Sequence, residues 1–224
     1  MPDFGLAQDV SYYARNPSGY GPSLVFEFNG RIWLQEQGRH ARRVTDGQAD
    51  EASPMFSPDG KHVAFTALDG NAAEIFLTTP GTGDIVRLTY DGGPDAQVEG
   101  WLGSSEVLYS TTIMSKKRGP LLFVIDIETR KIRPVPLAEA SEGCLFKGSF
   151  IFVKNEKLVD KNRLYRGGYA QSIYKIPANI LSESTSGAAM PGIGSVHLTS
   201  SYLGISRQPL CAPDRIYFLS DRSG

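Results

Sequence analysis

SPMFSPDGKHVAFTALDGNAAEIFLTTPGTGDIVRLTYDGG, residues 53–93, holds one nearly full copy of the unit from which this chain is built. Its apolar runs are VAFTA from Val63, EIFLTT from Glu74 and VRLTY from Val86. Each is short and rich in β-branched and aromatic residues, so each reads as a strand. The breaks between them are turn formers, among them Asp69-Gly70-Asn71. Ser57-Pro58-Asp59-Gly60 is a turn with a mechanism: Pro58 fixes φ at the first corner, Asp59 can bond its own backbone, and Gly60 accepts a positive φ. Met55 and Phe56 precede that turn and Val63-Ala64-Phe65 follow it, so it caps a hairpin.

The same pattern recurs outward in both directions. LVFEF begins at Leu24, VLYST at Val107, FIFVK at Phe150 and IYFLS at Ile216. A second run follows most of them: RIWLQE from Arg31, LLFVIDI from Leu121 and SIYKI from Ser172. A closing element reads RRVT at residues 42–45 and VHLTS at 196–200, with a weaker IRPVPL at 132–137. Short loops such as Asn29-Gly30 and Asp91-Gly92-Gly93 force neighbouring strands to be antiparallel. A repeat of about 40–45 residues carrying about four strands is the length of a propeller blade. Stacking such sheets radially covers faces that a lone sheet would expose. The expected fold is all-β: a β-propeller of four-stranded antiparallel blades, with four blades and part of a fifth present. The expected limits are an N-terminal lead-in over 1–22, blades over 23–50, 51–93, 94–138 and 139–201, and a partial blade over 202–224.

Bulk properties narrow the function classes. The chain has 224 residues, 41% apolar and 21% charged, with a net charge of −1. That balance gives no electrostatic reason to expect a nucleic acid or an anionic membrane as partner. Lys116, Lys117 and Arg118 form one basic cluster, beside Gly119 and Pro120, and read as a solvated loop tip. No run approaches the length of a membrane span, and the N-terminus shows no apolar leader core. Cys144 and Cys211 share no metal-type spacing and are too few for a disulfide scaffold, so two reduced thiols in a cytoplasmic protein are expected.

Candidate chemistry is sparse. His40, His62 and His197 occur in no HxH or HExxH pattern, and each is expected to be an ordinary surface or strand histidine. Asp91, Asp95 and Glu99 lie close in sequence but lack the D-x-D-x-D-G order of a calcium loop. Gly192-Ile193-Gly194 is too short for a phosphate loop, and no GxSxG is present. Trp33, Phe76, Phe123 and Tyr174 occupy equivalent positions in successive repeats, which marks them as core between blades. No catalytic, cofactor or metal residue is assigned.

The repeat resembles the PD40, WD40-like units of TolB-type and tricorn-type propellers, through the SPDGKHVAF run at 57–65. Three further stretches resemble the tricorn core protease family in its own order: Leu88-Thr89-Tyr90-Asp91-Gly92-Gly93-Pro94-Asp95, then Arg163-Leu164-Tyr165-Arg166-Gly167-Gly168, then DRIYFLSDRSG from Asp214. The third blade departs from the pattern with Gly103-Ser104-Ser105-Glu106, and the fourth with Phe146-Lys147-Gly148-Ser149. The stretch 178–193 is an addition, expected to be a surface loop. The resemblance implies a six-bladed parent ring, a homo-oligomer, and a serine-peptidase core lying beyond this chain. It implies that this propeller is itself non-catalytic and guides or filters peptides through its channel. The alternative is a stand-alone TolB-like scaffold that binds proteins or peptides. A propeller hydrolase acting on glycans or lactones would need converging carboxylates or metal ligands, and no such constellation is visible.

Overall fold

The computed structural model describes residues 13–47, 49–113, 119–137, 140–154, 170–182 and 194–222. Among these it forms four four-stranded antiparallel sheets and one two-stranded sheet, each in simple chain order. The first contains β1 (Arg15–Tyr20), β2 (Ser23–Phe28), β3 (Arg31–Gln35) and β4 (Arg42–Arg43). The second contains β5 (Glu51–Phe56), β6 (Val63–Asp69), β7 (Ala72–Thr78) and β8 (Ile85–Arg87). The third contains β9 (Gln97–Trp101), β10 (Glu106–Thr111), β11 (Leu121–Asp126) and β12 (Ile132–Pro134). The fourth contains β13 (Ala140–Phe146), β14 (Ser149–Lys154), β15 (Ser172–Pro177) and β16 (Val196–His197). β17 (Ser206–Cys211) and β18 (Ile216–Ser220) make the fifth. This is a β-propeller with four complete blades and a hairpin of a fifth.

Turn chemistry sets the hairpins. Asn29 and Gly30 both take left-handed φ values, 51° and 66°, as a two-residue hairpin with the right-handed strand twist requires. In the fourth blade Lys147 and Gly148 repeat that geometry at 46° and 73°, so a two-residue hairpin stands where blade two has the longer Ser57-Pro58-Asp59-Gly60 turn.

Each seam between blades has its own apolar core. Blades one and two share Val25, Ile32, Phe56, Val63 and Phe65. Blades two and three share Ile75, Leu88, Val98, Trp101, Tyr109 and Phe123. Blades three and four share Leu108, Leu122, Val124, Phe150, Phe152 and Ile176. Blades four and five share Ile151, Val153 and Ile173, with Cys144, Phe146, Cys211 and Ile216 packed alongside. Three of the four repeated aromatics serve these seams: Phe76 packs against the first core, Phe123 lies within the second, and Tyr174 packs against the third, whereas Trp33 packs edge-on against Phe28 of its own blade with ring centroids 5.9 Å apart. Each sits opposite a second aromatic on the neighbouring strand, as in Phe65–Phe76, Tyr109–Phe123 and Phe152–Tyr174, all with ring centroids 5.8 Å apart.

Three expectations change. Arg15–Tyr20, placed in the lead-in, is the first strand of the first sheet. The added stretch opens as a 3-10 turn, Ala178–Ser182, whose Leu181 is buried in the third seam and whose carbonyl accepts from Arg133 Nη1. Cys144 and Cys211 are not free thiols but a disulfide, with Cα atoms 5.9 Å apart. Nothing near them in sequence signals the pair; adjacency of β13 and β17 creates it. Lys116, Lys117 and Arg118, the element 163–168, residues 183–193 and the chain end at 223–224 lie outside the described residues.

Candidate functional site

In each sheet one strand leads the order and lies against the leading strand of the next sheet: β1, β5, β9, β13 and β17. These are the inner strands, which in a propeller line the central channel. Their sequences are polar and broken by Pro or Gly, unlike the strands behind them. All five pair irregularly with their neighbours. In three of them the irregularity is an X-Pro step whose first residue has a left-handed φ: Asn16 (48°) before Pro17, Ser53 (52°) before Pro54, and Gln208 (52°) before Pro209. Proline has no N–H to give the ladder, so it belongs at a bulge, and bulges re-aim the groups beside them.

Side chains tie the inner strands to their neighbours. Phe56 N donates to Ser18 Oγ at 3.1 Å, Gln97 Nε2 to Ser53 Oγ at 3.1 Å, and Trp101 Nε1 to the Met55 carbonyl at 3.1 Å. Gln208 N donates to Glu142 Oε2 at 2.6 Å. A Cβ on Gly100 would lie 3.0 Å from the Gly143 carbonyl, so β9 and β13 approach as closely as glycine permits.

Behind this ring lie buried carboxylates that the residue pattern did not single out. Glu74 is fully buried and accepts from Arg87 Nη2 at 2.9 Å, Gly92 N at 2.8 Å, Asp91 N at 3.2 Å and the Thr89 hydroxyl. Burial acts to raise its pKa, but these hydrogen bonds outweigh it and hold the carboxyl below the ordinary value. Glu51 accepts from Ile32 N at 3.1 Å and from the Thr45 hydroxyl; here burial wins and the pKa is raised. The Leu88–Gly93 segment is therefore a loop wrapped around one carboxylate. An isolated Glu in a strand carries no sequence signal of such a role, because its partners lie 13 to 18 residues away.

The residues singled out by sequence go to separate partners. Asp91 accepts from Tyr109 Oη at 3.1 Å, and burial raises its pKa. Asp95 accepts from Thr112 N at 3.1 Å, and Glu99 from Ser110 Oγ at 2.6 Å. His62 Nδ1 lies 3.4 Å from the Thr79 hydroxyl. His197 stacks on Tyr174 with centroids 4.4 Å apart, and burial lowers its pKa. His40 is exposed on the turn after β3. Among the described residues no group of three or more His, Cys, Asp or Glu is placed to hold a metal ion. Nor, among the described residues, is any helix long and apolar enough to cross a membrane. A cleft of about 400 Å³ opens between the first two blades, lined by Glu27, Asn29, Asp50, Glu51, Thr66 and Leu68. Its wall carries the carboxylates of Glu27, Asp50 and Glu51.

Comparison with known proteins gives consistent findings. A family model described as the tricorn protease N-terminal beta propeller domain matches residues 11–224. A putative tricorn-like protease N-terminal subunit of Sulfurisphaera tokodaii is 33% identical over 116 residues, covering 48% of this chain and 58% of that protein. A tricorn protease homolog of Saccharolobus solfataricus is 21% identical over 222 residues, covering 95% of this chain and 19% of that protein. The chain thus spans little more than half of the first relative and about a fifth of the second. A crystal structure of the tricorn protease superposes with a TM-score of 0.77 at 20% identity, over 95% of this chain and 20% of that one. A putative TolB from Agrobacterium tumefaciens superposes with a TM-score of 0.69 at 15% identity, over 93% of this chain and 70% of that one. These structural likenesses concern the fold.

Proposed function

The chain belongs to the tricorn protease N-terminal β-propeller family, and from that premise we propose that it serves a tricorn-like serine peptidase as a non-catalytic propeller, guiding or filtering peptides to or from a catalytic core outside residues 1–224. The family match over 11–224 carries this reading. The described carboxylates support it from the chemical side. Glu51, Glu74 and Glu99 each accept from backbone, hydroxyl or guanidinium donors, as structural acceptors do. The bulged inner strands and the acidic cleft beside Glu27 and Asp50 offer weak, sequence-tolerant contacts to an extended peptide and its amino terminus. Weak contact suits passage, since tight binding would slow release.

Homo-oligomeric assembly and a cytoplasmic location belong to the same reading. The disulfide bears on the location, because such bonds persist mainly in oxidising compartments. Counting free thiols in protein taken directly from its source therefore tests that part. The central test compares peptidase activity and product lengths of the complete protein with and without this propeller. Altered product lengths support guidance or filtering. Unchanged activity with unchanged product lengths sinks it.

A further inference from the structure

The seam between blades four and five is built differently from the others. Ile151, Val153 and Ile173 are buried in it, with Cys144, Phe146, Cys211 and Ile216 packed alongside. The same seam carries a polar cost. Gln171 and Ser206 are fully buried and joined through their backbones, Ser206 N donating to the Gln171 carbonyl at 2.8 Å. Yet both amide atoms of the Gln171 side chain and the Ser206 hydroxyl have no hydrogen-bond partner among the described residues. Buried polar groups without partners weaken the packing that encloses them. Against this stand the bond from Gln208 N to Glu142 and the covalent link between Cys144 and Cys211. Both cysteines lie on inner strands, and both are partly exposed.

We propose that the Cys144–Cys211 disulfide is a redox latch on the channel wall: oxidised, it holds the β17–β18 hairpin against blade four, and reduced, it lets that one seam open. The reductant is a dithiol. One of its thiolates attacks a sulfur of the bridge and the other resolves the mixed disulfide; the protein gains two electrons and two protons as two thiols, and the dithiol leaves as its own disulfide. Both cysteines are partly exposed, which gives the attacking thiolate access. The other three seams have no such bridge among the described residues, so opening is confined to one place. The inference concerns the wall itself and holds whatever passes along the channel.

The test uses the protein purified without reductant. Non-reducing digestion should yield a peptide pair joined through Cys144 and Cys211. Hydrogen exchange followed by mass spectrometry, before and after treatment with a phosphine reductant, should show β17 and β18 amides exchanging about tenfold faster or more once reduced, while β6 and β7 keep their rates. C144S and C211S under oxidising conditions should reproduce the fast exchange; the phosphine arm on the unaltered chain decides if either variant fails to fold. Two free thiols in the untreated protein overturn the proposal. Unchanged exchange over 206–220 overturns it, and so does equal acceleration in every blade, since that is global loosening.

Discussion

At the scale of single residues, Gly60 and Glu74 show how turn chemistry and burial act together. Gly60 ends the Ser57-Pro58-Asp59-Gly60 turn with φ of 71°, which the sequence motif anticipates. A Cβ there would also lie 2.2 Å from the Tyr20 ring, so the turn of blade two is a seat for an aromatic of blade one. Gly60→Ala should therefore cost about 2 kcal/mol or more, combining a left-handed backbone with a clash. Y20A should relieve the clash but not the backbone strain. A double-mutant cycle in urea must then show the two substitutions to be non-additive; simple additivity would mean the ring does not matter. Glu74 makes a prediction about pH. Its folded pKa lies below the ordinary 4.5, so its stabilisation is present above that value and is lost as pH falls through the lower, folded one. Asp91 works the other way: its folded pKa is raised above 3.8, so what it contributes is present at lower pH and is lost as pH rises through the raised value. E74Q should be less stable at neutral pH and should show a shallower loss on acidification than the unaltered protein. Parallel stability curves between pH 3 and 7 would refute the assignment. E74A, which leaves the Asp91 and Gly92 N–H groups without their acceptor while Arg87 keeps Asp69 and the Thr89 carbonyl, should cost about 1–3 kcal/mol.

At the scale of elements, the closing strands explain why a threonine recurs at the repeat period. Thr89 Oγ1 accepts from Ile75 N at 2.9 Å, and Thr199 Oγ1 accepts from Ile173 N at 3.1 Å. In blade one the Thr45 hydroxyl reaches the same place through Glu51, which takes the Ile32 N–H. The threonine extends the ladder one residue past the last backbone pair. Blade three has Pro136 at this position, after Val135 N donates to the Leu122 carbonyl. Thr89→Val, which preserves shape and removes the hydroxyl, should cost about 1–3 kcal/mol, because a buried N–H and a buried carboxylate both lose a partner. An unchanged urea midpoint would show that the hydroxyl is dispensable. These elements also show what was legible. The strands starting near Val63, Val107, Phe150 and Ile216 could be read directly, because they are buried on both faces in the complete blades and so are runs of β-branched and aromatic residues. The leading strands Arg15–Tyr20 and Ser206–Cys211 could not, because bulges and the channel side make them polar and interrupted. Phe76, Phe123 and Tyr174 were legible as seam packing; Trp33 departs from the pattern and packs on Phe28 within its own blade. The glutamates that anchor loops were not, since their partners are remote in sequence and a lone Glu reads as surface. The disulfide was hidden for the same reason: its halves meet only after two blades stack.

At the scale of the whole molecule, stacked blades contact only their neighbours, so stability is close to a sum of blade and seam contributions. Ile75 is fully buried in the seam between blades two and three. Ile75→Ala should cost about 2–5 kcal/mol and should lower exchange protection in both of those blades. Blade five should be affected least, because its seam shares none of that core. The disulfide allows a sharper argument. A cross-link between positions 67 residues apart stabilises any cooperatively unfolding chain by about 4 kcal/mol through the entropy of the unfolded state. That contribution acts on the whole unfolding transition and would shift one urea midpoint on reduction. A latch on one seam behaves differently. It converts one transition into two, a low-urea step confined to β17–β18 and a later step that carries the remaining blades. Fluorescence of Trp33 and Trp101 reports blades one and three, and hydrogen exchange over 206–220 reports the hairpin. After reduction, residues 206–220 should lose exchange protection at lower urea than tryptophan fluorescence changes, and in the oxidised protein the two should coincide. Coincident curves in both states would assign the bond a purely entropic role and leave blade five as firmly seated as its neighbours.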